Sequence, residues 1–438
     1  NPLDPDAKDF ADGNPRWLDA YINKKFDIAG REARIRVGNQ VLSWGENLFI
    51  TGGINSINPL YLPAAHQPGT PLKILFIPSP MVSASFALAP GLGIEGYYQW
   101  KWNSFAFDAP GTFFSTSDFV GRGGRGLYLP ASVMQMIGAP ADMNLIPRGA
   151  DRMPKNGQGG AALRYQFPGS GNELGVYYYR YSDKVPFVSY QVTGAPSNPF
   201  GWEAALDYGK NRQLFGVSYN FQAGEWAIGT ELSYRPRDGV AIDPSAVIDP
   251  ANRHYCNALA DFTVAPVGHR CQGWVDTQHY QWHLTGIHIL SPSGSLGGLL
   301  HALGASEGTI TAETAVAYYP KLKFGQDIPY AATADYRLPT RASWGMVVAA
   351  GLTYPNIFGT RASLSPDIAV SQGLSGISAT ATPGFVKGAG AVVLGATLDF
   401  KTKPETKLRV DFTQNWGGGA SNLLRDRNFM SVSLSSSF

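Results

Sequence analysis

The amino-acid sequence predicts an all-β chain: one transmembrane antiparallel β-barrel of about sixteen or more strands, with long extracellular loops, short periplasmic turns and an inward-folded loop constriction. Three observations carry that expectation. Many segments alternate with period two and keep one face apolar. The connections between them alternate between short and long. The composition is also unusual: the chain has 438 residues with 51 glycines, 12% aromatic and only 16% charged residues, and a net charge of +2. A soluble domain carries about 25% charged residues and about 7% glycine.

The strand signal is clearest near the end of the chain, where Val392, Leu394, Ala396, Leu398 and Phe400 face away from Val393, Gly395, Thr397 and Asp399. Leu408, Val410 and Phe412 then oppose Arg409, Asp411, Thr413 and Asn415, and the last strand sets Met430, Val432, Leu434 and Phe438 against four serines. Earlier, Phe215, Val217, Tyr219 and Phe221 form one face, and after a turn at 222–225 Trp226, Ile228, Thr230, Leu232 and Tyr234 form another. Comparable strands are expected at 35–41, 92–100, 161–167, 174–179, 310–318, 344–354 and 364–370, with weaker ones at 18–22 and 82–88. The segment 280–290 changes parity between Leu284 and Ile287 and reads as a strand with a bulge. The count is about fifteen.

Short turns fall at 28–32, 89–91, 168–172, 222–225, 355–359 and 401–406, and long segments at 45–80, 103–158, 182–212, 236–278, 320–342, 372–388 and 417–428. The connection 291–308 is longer than its place predicts. A soluble sandwich or propeller also alternates, but its loops need not alternate in length and its outward face should be polar. Aromatic residues near strand ends, among them Tyr98, Trp100, Tyr165, Phe167, Trp226, Tyr234, Trp344, Tyr354, Phe400 and Trp416, fit interfacial girdles. If the last strand ends in the periplasm, the first one runs inward, so an even barrel calls for at least one strand upstream of Asn1 or one more within the chain than the count of fifteen.

Other classes lose their basis. Disorder needs low hydrophobicity with high net charge. Nucleic-acid binding needs a basic excess, and 35 Lys plus Arg face 33 Asp plus Glu. No apolar run reaches the ~18 residues of a membrane helix. The first residues lack the basic and apolar regions of a signal peptide, so the chain reads as mature or trimmed.

The most distinctive stretch runs from Arg34-Ile35-Arg36-Val37-Gly38-Asn39-Gln40 through Trp44-Gly45-Glu46 to Gly52-Gly53-Ile54-Asn55-Ser56-Ile57-Asn58-Pro59. Further matches are 94–99 and 110–119. These residues resemble the DUF1302 family of proteobacterial outer-membrane proteins, whose pattern is close to R-x-G-x-Q-x-x-x-W-G-E followed by G-I-N-x-I-N-P. The resemblance is specific over residues 16–125 and looser beyond. It implies an outer-membrane barrel of a Gram-negative bacterium, associated with movement of hydrophobic or aromatic compounds and with a periplasmic or export-system partner. Outer-membrane lipids and lipopolysaccharide would surround it.

Alternation places Arg34, Arg36 and Gln40 in the lumen, with Glu95, Gln99, Arg164, Glu231, Arg235, Glu313, Asp367, Asp399, Arg409 and Asp411 on later strands. Mixed arginines and carboxylates there either set a field on passing solutes or brace the wall by pairing. The segment 45–80 is rich in Gly, Pro and apolar residues and suits an inward-folded constriction or plug. Trp44, Phe49, Tyr61, Phe113, Phe114 and Phe119 are the candidate substrate-binding aromatics. Cys256 and Cys271 share one expected external loop and suit a disulfide; His254 and His269 flank them without metal-ligand spacing, so no metal or cofactor is assigned.

The expected function is passive, selective diffusion of a hydrophobic or amphipathic small molecule. A general hydrophilic porin is the alternative, followed by an outer-membrane lipid hydrolase or a structural barrel. His279 and His283 share a face, with His288 opposite unless the bulge realigns it, but no G-x-S-x-G motif accompanies them and no catalytic residue is assigned.

Overall fold

The computed structural model describes residues 4–11, 16–67, 69–70, 72–129, 131–136, 138–155, 157–194, 201–243, 267–323, 330–331 and 337–437. After a short helix α1 (Pro5–Ala11), the strands in chain order are β1 (Ala20–Ile28), β2 (Arg31–Gln40), β3 (Ser79–Ala89), β4 (Leu92–Gln99), β5 (Gly126–Tyr128), β6 (Leu145–Pro147), β7 (Gln158–Gln166), β8 (Glu173–Tyr181), β9 (Phe187–Val192) and β10 (Trp202–Asp207). They continue as β11 (Arg212–Ala223), β12 (Trp226–Ala241), β13 (Arg270–Cys271), β14 (Trp274–Leu290), β15 (Glu307–Tyr318), β16 (Ala342–Thr353), β17 (Ser363–Ser375), β18 (Gly390–Asp399), β19 (Glu405–Trp416) and β20 (Phe429–Ser437).

Fifteen strands form one antiparallel sheet in sequence order, skipping only β5, β6, β9, β10 and β13. Each overlaps one of the fifteen segments whose period-two pattern marks a strand, least well at β1, where the pattern spans 18–22 and the strand runs Ala20–Ile28. Neighbours in sequence are neighbours in space because each connection only reverses the chain, and the short reversals all lie at one end. The long 291–306 connection belongs to that end too; it holds the helix Gly297–Leu303, which explains its length without disturbing the alternation. β1 and β20 both run from the long-connection end to the short-turn end, and among the described residues no ladder joins them.

The bulge expected within 280–290 is absent. The β14–β15 ladder runs unbroken from Tyr280↔Tyr318 to Leu290↔Gly308. Ile287 and Ile289 lie on the polar face, opposite Thr311 and Thr309, and this mimicked a parity change. His288 stays on the apolar face, stacked on Trp226 at 4.9 Å. The β12–β14 register shift falls between Arg235 and Asp238, at Pro236, which cannot donate to a ladder.

The apolar face carries two aromatic groups. Tyr178, Phe215, Tyr234, Tyr280 and Tyr318 are successive register partners across β8, β11, β12, β14 and β15, forming an unbroken row near the long connections. Toward the short turns, Tyr165, Phe167, Tyr219 and Phe221 make a chain of ring contacts of 4.9–6.2 Å. Phe215 and Phe221 are six residues apart on one strand, about 20 Å at ~3.3 Å per residue. Between the two groups Val176, Val217 and Leu232 are exposed.

The long connections are not structureless. β9, β10 and β13 form a three-stranded sheet and β5 and β6 a hairpin. Trp102, Phe119, Ile146, Tyr190, Trp202 and Leu206 bury a hydrophobic core between them. Cys271, on β13 of this module, is disulfide-bonded; Cys256 and His254 lie outside the described residues.

Gly160 and Gly169 separate two uses of glycine. A Cβ at Gly160 would collide with the Tyr179 Cβ and the Tyr178 carbonyl, whereas Gly169 has φ +80° and open space around it. Gly160→Val is therefore expected to abolish the heat-resistant folded species in detergent, while Gly169→Ala lowers stability by only about 1 kcal/mol; comparing the two by thermal unfolding checks this.

Candidate functional site: a latched segment and its cavity

The polar face of β8, β12, β14 and β15 presents Tyr177 and Tyr179, Glu231 and Arg235, His279, Gln281 and His283, and Glu313, all essentially buried. Strand alternation lines them up, and the connection between β2 and β3 covers them. Buried charge is costly unless satisfied, and here the satisfaction comes from the backbone of that connection. Glu231 accepts from the amides of Glu46 (2.5 Å) and Ile54 (2.7 Å). One oxygen of Glu313 accepts from three successive amides, Leu48 (3.1 Å), Phe49 (2.5 Å) and Ile50 (2.9 Å), a nest for an anion. Its other oxygen lies 2.7 Å from His283 Nδ1.

The carbonyls of the same segment are equally engaged. Gln281 donates to the Thr51 carbonyl at 2.9 Å, and Tyr179 to the Ile54 carbonyl at 2.8 Å. The Arg235 guanidinium donates to the carbonyls of Gly52 and Gly53 and to Ser56 Oγ. Asn58 closes the segment on itself through Leu42, accepting from its amide and donating to its carbonyl. The glycines make the approach feasible: a Cβ on Gly53 would fall on the Glu231 carboxylate, and Gly52, at φ +109°, would meet the Gln281 amide.

Trp44 anchors the start of the segment. It is 2% exposed, packs against Tyr97, Tyr177 and Tyr179, and donates from Nε1 to Glu95 at 2.8 Å. Arg164 lies between Glu95 (3.4 Å) and Glu173 (2.9 Å). On the far side, Arg409 bridges Asp367 (2.7 Å) and Asp411 (2.6 Å), with Gly69 of the same connection against it. Gln40 accepts from Ser83 at 2.8 Å, and Gln99 accepts from Gln158 at 3.0 Å. Arg34 and Arg36 line a cavity of about 240 Å³ beside Trp44 and Glu95. Asp399 pairs with Lys401 near a short turn.

A larger cavity, about 390 Å³, lies between the latched segment and the long connections. Leu48, Phe49, Leu60, Phe76, Phe105 and Phe187 give it an apolar wall; Asp183, Arg235 and Asp238 mark its polar side. Of the six aromatics singled out in the sequence, Phe49 alone lines it. Tyr61 packs on Phe10 and under Arg16. Phe113 and Phe114 make edge-to-face contacts with each other and with Phe429 of β20. Phe119 is in the core of the outer module. Sequence reasoning missed Tyr179, Gln281 and His283 as latch residues; the signal available was the polar run His279, Gln281, His283 at strand spacing.

The family model described as "Protein of unknown function (DUF1302)" matches residues 1–438, the whole chain. The chain belongs to the DUF1302 family. No curated protein matches it. Among solved structures the DUF1302 chain is similar to the outer-membrane expressed OmpT of Vibrio cholerae, with 9% identity, coverage of 82% of this chain and 85% of that one, and a TM-score of 0.29.

The DUF1302 chain carries two titratable neighbours in the connection between β8 and β9. Burial pushes the Asp183 carboxyl up to about 7 against the pull of Arg212. Burial also brings the Lys184 ammonium down to about 7, opposed by Asp183. A lysine with a depressed folded pKa costs stability at and below neutral pH, and the cost fades as pH rises toward its unfolded value. Lys184→Met is thus expected to raise the melting temperature most at about pH 6–7, with the difference from wild type shrinking toward about pH 10. For the latch, Glu313→Leu removes the acceptor of three amides. Charged hydrogen bonds contribute about 1.5–3 kcal/mol each, so amide exchange at Leu48, Phe49 and Ile50 should quicken by at least ~10-fold while β14 stays protected.

Proposed function

We propose that the protein is an outer-membrane channel of a Gram-negative bacterium that passes hydrophobic or amphipathic small molecules passively and selectively. The observation that carries this reading is the apolar cavity formed over the latched segment, with Phe49 and Leu48 on its floor. An open hydrophilic pore would need a wet passage where this segment is tied down by Glu231, Arg235 and Glu313. The two aromatic groups on the apolar face, separated by exposed valines and leucines, support a lipid-facing band.

In this reading the fifteen-stranded sheet closes into a barrel around the segment. β1 and β20 run the same way, so an antiparallel closure takes one further strand between them and brings the count to sixteen. The polar face is then the lumen, and its paired arginines and carboxylates brace the wall. The short-turn end faces the periplasm and is the side open to a periplasmic or export-system partner.

The test is flux through the purified protein in liposomes. An apolar aromatic probe should cross faster than a hexose, and Phe49→Asp should cut probe flux by about tenfold, since it replaces an exposed apolar ring on the cavity floor with a charge that a passing probe would have to desolvate. High stepwise conductance in the wild-type protein with equal hexose flux would make it a general porin. Ester cleavage that disappears in His283→Ala would make it a hydrolase.

A further inference from the structure

The long-connection end of the sheet holds a third hollow, on the face opposite the latch. It measures about 420 Å³ and is lined by Tyr98, Gly157, Gly159, Arg180, Ser182 and Asn211, among others. Register explains the hollow: Tyr98 pairs with Gly159, Gly159 with Arg180, and Arg180 with Gln213, so the missing side chain at Gly159 leaves a gap between a phenol ring and a guanidinium. This row lies two residues beyond the aromatic row that includes Tyr178 and Phe215, about 7 Å along the strands.

The surface around this row is basic without compensation. Arg180, Lys210 and Arg237 are exposed. The register shift at Pro236 turns Arg237 outward, where it donates to the Asn211 carbonyl at 2.9 Å, on the rim of the hollow. The carboxylates nearest in sequence are already engaged: Asp183 and Asp276 pair with Arg212, and Asp238 with His279. Among the described residues no carboxylate pairs with Arg180, Lys210 or Arg237. Guanidiniums suit phosphate because they donate in a planar fork.

We propose that this hollow binds the phosphate-bearing headgroup of an outer-leaflet glycolipid, with Arg180 and Arg237 on the phosphate and Tyr98 against the sugar. The proposal rests on the transmembrane reading, because the aromatic row one step away sets the headgroup level only if the apolar face meets lipid. A lipid is favoured over a soluble anion since its acyl chains would lie along Val176 and Val217, which are exposed directly below.

The experiment compares wild type with an Arg180→Gln/Arg237→Gln variant in detergent micelles, titrated with diphosphorylated lipid A, its dephosphorylated form and inorganic phosphate, and read by native mass spectrometry. Wild type should hold the diphosphorylated lipid at least ~10-fold more tightly than the variant does, and more tightly than the dephosphorylated form. Millimolar inorganic phosphate should not displace it. A Lys401→Gln/Lys407→Gln control at the short-turn end should behave as wild type. Equal lipid affinity in wild type and the arginine variant, an equal loss in the lysine control, or displacement by phosphate alone would each overturn the site. Liposome insertion and probe flux of the same proteins separate the two readings. Lost lipid selectivity with flux retained overturns the headgroup site alone; failure of wild type to insert overturns the transmembrane reading and this site with it.

Discussion

Two buried carboxylates organise this molecule. Glu231 and Glu313 stand on neighbouring parts of one sheet face with almost no water, where an unpaired anion would be untenable. Their partners are amide hydrogens of a single chain segment, five in all. The segment in turn needs them, since its backbone leaves the sheet and would otherwise bury unpaired polar groups. Sheet and segment each satisfy what the other cannot leave bare. Arg235, Gln281 and Tyr179 extend the exchange to the carbonyls, so the wall is fixed to its contents by main-chain chemistry on both sides of the peptide.

That arrangement explains the glycines of the motif. Gly45, Gly52 and Gly53 lie where a side chain would displace Glu231 or Gln281 from the peptide it binds. Much of the remaining charge on the polar face is paired laterally, as in Arg164 with Glu95 and Glu173, or Arg409 with Asp367 and Asp411. Of the two roles open to those residues from sequence, bracing has direct geometric support.

Much of this was legible in the sequence. Period-two alternation touched every strand of the main sheet, because one face of most strands is consistently apolar; it was weakest at β1, Ala20–Ile28, which is exposed along its whole length. It failed at Ile287 and Ile289, where two apolar side chains occupy the polar face beyond the reach of the latched segment. The outer module was harder to read: β9 and β10 do alternate, Val188, Tyr190 and Val192 against Ser189 and Gln191, and Trp202, Ala204 and Leu206 against Glu203 and Asp207, but each is only six residues long and lies within a span whose length reads as a loop. Glu231, Arg235 and Glu313 were recognisable as inward residues, yet their function was hidden because their partners are backbone groups, which a sequence does not spell out. Phe113, Phe114 and Phe119 were grouped by type; the fold keeps Phe113 and Phe114 together against Phe429 and puts Phe119 in the core of the outer module.

Holding a segment by its peptide groups also separates anchorage from identity. Leu48 and Phe49 give their amide hydrogens to Glu313 whatever side chains they carry, and those side chains are the ones that face the cavity. The floor of the cavity can therefore be rewritten residue by residue, larger or smaller, without loosening its attachment to the wall. The scaffold behaves as a socket for interchangeable linings, in which the cavity surface is free to change while the fold stays put.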